Sequence, residues 1–185
     1  MKKTILSIAL TALFTLGALA QESKSVKTST VEWKGYKVTG SHYGTINLSE
    51  GNLIFSGDTL TGGSFVVDMT SLTSTDLEGE WKEKLDGHLK SDDFFGVESH
   101  PTASLVFTNV KASSKNSYDV TADLTIKGIT NPINFTLAVY GNKANATLKI
   151  DRAQYDIKYG SGSFFDNLGD KAIYDEFDLV VDLEF

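Results

Sequence analysis

The 185-residue chain contains no cysteine, which excludes disulfides, thiolate metal ligands and a thiol nucleophile. It carries two prolines (Pro101 and Pro132), three histidines and a single arginine, Arg152. With 24 acidic against 17 basic side chains, a formal net charge of −7 argues against nucleic acid and against electrostatic docking on anionic lipid. None of these shortages excludes an uncharged chain that enters a dry cavity.

Long hydrophobic runs are confined to the first twenty residues. Lys2 and Lys3 precede an apolar stretch from Ile5 to Leu19, and Ala18-Leu19-Ala20 forms a small-x-small site before Gln21. That pattern predicts a bacterial secretory signal peptide over residues 1–20, cut after Ala20, and a periplasmic or secreted protein. Ser7, Thr11, Thr15 and Gly17 interrupt the run, which is short for a membrane span, so no stable membrane insertion is expected. The rest divides into a loose polar lead at 21–29 and one domain at 30–185.

What the chain has in abundance is alternation of period two. Val31 and Trp33, Ile46 and Leu48, Leu53 and Phe55, and Phe65, Val67 and Met69 each mark one face of a strand, with turns read at Glu50-Gly51 and Gly57-Asp58. The rhythm resumes with Ala103, Leu105 and Phe107, then Tyr118 to Ile126. Asn131-Pro132 is read as a break before Ile133 to Val139, and Gly141-Asn142 as a turn before Ala144 to Ile150. Phe177 to Phe185 closes the chain. Eight or nine strands with short turns make an all-β antiparallel meander, which must form a sandwich or curl into a barrel. Small inward residues such as Ala122, Ala144 and Ala146 leave room for a cavity, while larger neighbours could equally fill it.

One amphipathic helix is expected between about Asp76 and Ser91, with Leu77, Trp81, Leu85 and Leu89 as its apolar stripe. Thr75 and Glu78 have capping-box spacing. Such a helix would lie over one open end of a barrel.

The segment Gly87 to Pro101 (GHLKSDDFFGVESHP) is the densest polar interruption. His88, Asp92, Asp93, Glu98 and His100 there could in principle hold a metal or work as acid and base, although no ligand spacing such as HExxH occurs. The alternative is that Asp92 caps a short turn carrying Phe94 and Phe95. Gly160-Ser161-Gly162-Ser163 has neither the nucleophile-elbow spacing nor a phosphate-loop lysine, and no catalytic residues are assigned. Arg152 fits a structural ion pair with Asp151 or Asp156, or an anchor for a polar head group at a pocket mouth.

The ordered succession WKGYKVTGSHYG (33–44), GSFVVDMTSLT (63–73), Gly87 to Thr102, DLTIKGITNP (123–132) and IDRAQY (150–155) resembles the YceI family of exported, lipocalin-like bacterial proteins. Two departures stand out: Phe95 is followed by Gly96 where the family commonly has Asp, and the spacing from Thr73 to His88 is long. The resemblance implies an eight-stranded antiparallel barrel with an inserted helix, whose apolar cavity binds a polyisoprenoid, an isoprenoid quinone or a similar long amphiphile. It implies a carrier or storage protein, monomer or homodimer, with no cofactor beyond the bound lipid. The expected lining is Phe65, Val67, Met69, Trp81, Leu85, Phe94, Phe95, Leu105, Phe107, Leu124, Ile126, Phe135, Leu137, Leu148, Phe177 and Leu179, with His42, His88 and Arg152 as head-group candidates. The competing expectations are a secreted metal-dependent or hydrolytic enzyme using His88, Asp92 and His100, and a filled-core interaction module.

Overall fold

The computed structural model describes residues 21–185, so the signal-type segment lies outside the described residues. The elements run β1 (Gln21–Ser25), β2 (Thr28–Lys37), β3 (Gly40–Ser56), β4 (Thr59–Ser74), α1 (Gly79–Lys90), β5 (Thr102–Ser114), β6 (Ser117–Ile126), β7 (Ile129–Tyr140), β8 (Lys143–Asp151) and β9 (Ile173–Glu184). Short 3-10 turns occupy Arg152–Tyr155 and Gly169–Lys171. Every strand from β2 to β9 pairs antiparallel with its successor, and β9 returns to β2, closing an eight-stranded barrel. Alternation left a sandwich or a barrel open, and the barrel is the architecture that the resemblance implied. On β8 the reason is plain: Ala144, Ala146, Leu148 and Ile150 are buried, while Lys143, Asn145, Thr147 and Lys149 are exposed. Closure removes the exposed edges that such half-apolar strands would otherwise present.

Three sequence expectations are corrected. Residues 21–29 are not a loose lead: Gln21–Ser25 form β1, paired with Asn52–Ser56 of β3, and Thr28 already belongs to β2. Main-chain pairing is indifferent to side-chain polarity, so an exposed polar stretch can still be a strand. Glu50-Gly51 is not a turn, because β3 runs through it and absorbs the irregularity as a register shift between Leu48 and Glu50. Nor does Pro132 break β7. It lies where β7 has no β8 partner, since those two strands pair only over Leu137–Tyr140 and Lys143–Ala146, an edge-like position that proline tolerates.

The helix is shorter than expected, and the capping box does not form. Glu78 is the N-cap without a side-chain bond, and the Thr75 amide donates to the Tyr43 carbonyl. Instead α1 is pinned to β4 through Lys82 and Asp86. Lys82 Nζ donates to the Ser74 carbonyl at 2.6 Å and to Asp86 Oδ2 at 2.9 Å, while Asp86 accepts from Thr73 Oγ1 and the Ser74 amide. Lys82, Leu85, Asp86 and Leu89 share one helical face at i, i+3, i+4 and i+7. That face rotates Trp81 away from the barrel, leaving it 71% exposed beneath Lys84.

The far end of the barrel is filled. The β3–β4 hairpin buries Leu53, Phe55 and Leu60 there, and Phe55 meets Phe185 at 5.6 Å between ring centroids. Phe65, Phe107 and Phe135 continue the filling as an aromatic chain with centroids 5.7 and 5.8 Å apart.

Candidate functional site

The end beneath α1 is hollow. Inward positions of β2, β3, β4, β5, β6 and β9 enclose an apolar cavity of about 130 Å³. Its wall comprises Val31, Trp33 and Gly35 of β2, Ile46 of β3, Val67, Met69 and Leu72 of β4, Ala103 of β5, and Leu124 and Ile126 of β6. Ile173, Tyr174, Phe177 and Leu179 of β9 complete the barrel side, and Leu89, Phe94, Phe95 and Arg152 close the end. Trp33 is held in place by its indole N–H, which donates to the Thr73 carbonyl at 3.2 Å.

Of the lining expected from sequence, Val67, Met69, Phe94, Phe95, Leu124, Ile126, Phe177 and Leu179 are on this wall. Phe65, Leu105, Phe107, Phe135, Leu137 and Leu148 face inward but belong to the core cluster outside the cavity wall. Leu85 packs against the core outside the cavity and Trp81 faces solvent. Alternation identifies which residues point inward, but not at which height the barrel is hollow. Wall residues outside that expected lining include Trp33, Gly35, Ile46 and Tyr174; those on β2 and β3 carried the signal of strand parity. For the bulged start of β9 there was none.

The segment after α1 behaves as a plug. The Phe94 and Phe95 amides donate to the carbonyls of Ser91 and Leu89, and Gly96, at φ +57°, turns the chain back. Phe94 is buried, Phe95 reaches Phe177 edge-to-face at 6.4 Å, and Asp92 and Asp93 remain exposed. Among the described residues, His88, Asp92 and His100 do not come together, with each other or with other acidic residues, into a group of three able to hold a metal.

Arg152 is the charged group of the wall, and it is 2% exposed. Between Gly35↔Phe177 and Lys37↔Ile173 the β2–β9 register shifts, so β9 bulges at Tyr174–Glu176. The guanidinium fills that bulge. Nε donates to the Tyr174 carbonyl at 3.2 Å, Nη1 to Ile157 at 2.8 Å and Nη2 to Ile173 at 3.1 Å, with Asp175 Oδ1 3.4 Å from Nη2. Its ion-pair partner is thus Asp175, not the expected Asp151 or Asp156. Asp156 pairs with Lys158 at 2.6 Å, and Asp151 caps the 3-10 turn by accepting from the Ala153 amide. Burial pushes the Arg152 guanidinium down, against the opposing charges of Asp175 and Asp151. Burial and the charge of Asp151 push the nearby Tyr155 phenol up to about 12, keeping it neutral.

The two histidine candidates stand off the wall. His42 Nδ1 is 2.8 Å from Asp76 Oδ2, and His88 lies edge-on to Tyr159 at 4.3 Å and to Phe94 at 5.6 Å.

A closed eight-stranded barrel with one inserted helix and a hollow apolar end now has a counterpart in known proteins. The family model of the YceI-like domain matches residues 21–185. The chain belongs to the YceI family. A UPF0312 protein of Pseudomonas putida is 34% identical over 150 residues, covering 76% of this chain and 74% of the relative. One from Pseudomonas aeruginosa is 31% identical over 147 residues, with the same coverage of each chain. Among solved structures, Burkholderia cenocepacia BcnA aligns with TM-score 0.66 and 20% identity over 84% of this YceI chain and 94% of its own. A polyisoprenoid binding domain from Saccharophagus degradans aligns with TM-score 0.58 and 17% identity, covering 90% and 99%. At these identities the two structures show a shared fold.

Proposed function

We propose that this YceI protein binds a long apolar amphiphile, an isoprenoid or similar lipid, with its chain in the barrel, and that it acts as a non-catalytic carrier or store outside the cytoplasm. The observation that carries this reading is a cavity walled by aliphatic and aromatic side chains whose charged member, Arg152, is already hydrogen-bonded to three carbonyls and paired in charge with Asp175 at 3.4 Å. Such a wall recognises an uncharged hydrocarbon, each buried methylene contributing about 0.8 kcal/mol. The printed description of the Saccharophagus degradans neighbour, a polyisoprenoid binding domain, supports the same ligand class. Export is supported by the signal-type sequence at residues 1–20.

The room available constrains how a chain would sit. A cavity of about 130 Å³ is close to the size that holds one benzene-sized group. A longer chain therefore either displaces Phe95 from Phe177 or extends through the mouth.

The test is to purify the protein from its native host, extract it with organic solvent and identify bound lipid by mass spectrometry, with a metal assay alongside. A stoichiometric isoprenoid or other long-chain lipid is the expected result. Protein that carries none and fails to take up added farnesol would overturn the reading. Stoichiometric zinc in lipid-free protein would favour the enzyme alternative.

A further inference from the structure

Gly35 is a glycine without a structural reason to be one. Glycine inside a strand costs roughly 0.5–1 kcal/mol relative to alanine, because more backbone freedom is lost on folding. At two other strand glycines that cost has a steric cause: a Cβ on Gly44 would lie 1.9 Å from the Thr73 carbonyl oxygen, and one on Gly63 would lie 2.9 Å from the Phe107 ring. A Cβ on Gly35 would meet nothing within 4 Å, and its φ is outside the left-handed region. Position 35 continues the inward series Val31, Trp33 and lies on the cavity wall. The space such a side chain would take is therefore cavity space.

Gly35 lies near the rim of the barrel, two residues before β2 ends at Lys37. It is the last residue paired before the β2–β9 shift, and pairing resumes at Lys37↔Ile173. Across the shift Tyr174 lines the cavity while being 56% exposed, so cavity and solvent meet there. Bulges are over-represented at barrel rims and next to functional sites.

We infer that Gly35 is the portal residue of the cavity, its missing side chain leaving the rim of the barrel open beside Tyr174, where an apolar chain passes. This rests on the lipid-binding reading above and adds the route and the residue that controls it. Gly35 belongs to the passage and contributes no polar contact. A ligand using it is a narrow hydrocarbon chain, without a polar group where it crosses the wall.

Trp33 on the wall is a built-in reporter, and Trp81→Phe removes the second tryptophan from solvent without touching the core. In that background farnesol association is followed by stopped-flow Trp33 fluorescence for Gly35, Gly35→Ala, Gly35→Val and Gly35→Leu, with circular dichroism and melting as folding controls. Gly35→Ala and Gly35→Val keep the comparison interpretable should leucine disturb the strand. Progressive slowing with side-chain size, by roughly tenfold or more for the largest folded variant, is expected. Rates within about twofold of the parent in folded variants would overturn the portal. If the parent itself shows no response and retains no farnesol after gel filtration, the lipid-binding reading fails instead. The cysteine-free chain allows a second measurement: in Gly35→Cys, farnesol should protect the thiol from a maleimide, and unchanged labelling in protein shown to hold farnesol would also overturn the proposal.

Discussion

The guanidinium carbon of Arg152 lies 5.3 Å from the centroid of the Phe94 ring. A cation over an aromatic face gains electrostatic attraction that grows as water is excluded, and here both groups are buried. The pair joins the 3-10 turn after β8 to the plug after α1, two segments far apart in sequence that close the same end of the cavity. The side chain singled out as a head-group anchor is therefore chiefly a bolt that holds the β9 bulge.

Replacing Arg152 should cost stability before it affects ligand choice. Arg152→Met strands three carbonyls and the Asp175 carboxylate, and a loss of about 3 kcal/mol is expected from breaking a buried charge network. Arg152→Lys should recover part of that loss, because one ammonium cannot serve all the acceptors. Urea unfolding of the three proteins measures it, and a Met variant as stable as the parent would contradict the structural role.

Acid should loosen α1 from β4 at a defined pH. Partial burial raises the Asp86 carboxyl, but hydrogen bonds from Thr73, Lys82 and the Ser74 amide outweigh it and hold the group at about 2, against the usual 3.8. A depressed native pKa contributes stability that is complete above the unfolded value and is lost as pH falls through the folded one. At most about 2 kcal/mol should therefore disappear between roughly pH 4 and pH 2. Stability against pH for Asp86→Asn should lack that component of the slope.

Gly44→Ala should be far more damaging than Gly35→Ala. Its new methyl would lie 1.9 Å from the Thr73 carbonyl oxygen and 2.7 Å from Ser74 Cα, both backbone atoms that cannot swing aside. A loss of about 3 kcal/mol is expected from forcing β3 and β4 apart. Gly35→Ala should be neutral or slightly stabilising in the same melting experiment.

Filling the cavity should abolish binding without unfolding the barrel. Leu124→Trp places extra bulk where β6 borders the hollow, and farnesol retention on gel filtration should fall by roughly tenfold or more, while overpacking costs about 1–3 kcal/mol. Full retention would move the ligand away from this cavity.

The Gly141-Asn142 turn, the strict alternation of β8 and the burial of Phe94 beside exposed Asp92 and Asp93 were all legible in the chain. Each depends on neighbours in sequence: strand parity, turn chemistry, or apolar residues placed next to charged ones. Trp81 and Leu85 show where that reasoning ends. Of the expected stripe Leu77, Trp81, Leu85 and Leu89, Leu77 precedes the helix and Trp81 faces solvent: Lys82 and Asp86 found partners on β4 and turned the helix, a choice made by residues at positions 73 and 74 that no local pattern could reveal.

By itself, then, the sequence determined which residues face inward, because alternation and the burial of apolar surface act residue by residue; alternation alone left a sandwich or a barrel, and the family resemblance pointed to the barrel. Tertiary structure decided which height of the barrel stays hollow, that Arg152 would satisfy a bulge in β9, and that Gly35 would border open space. These outcomes depend on how side chains from distant strands meet, and an empty volume is a property of all its walls together.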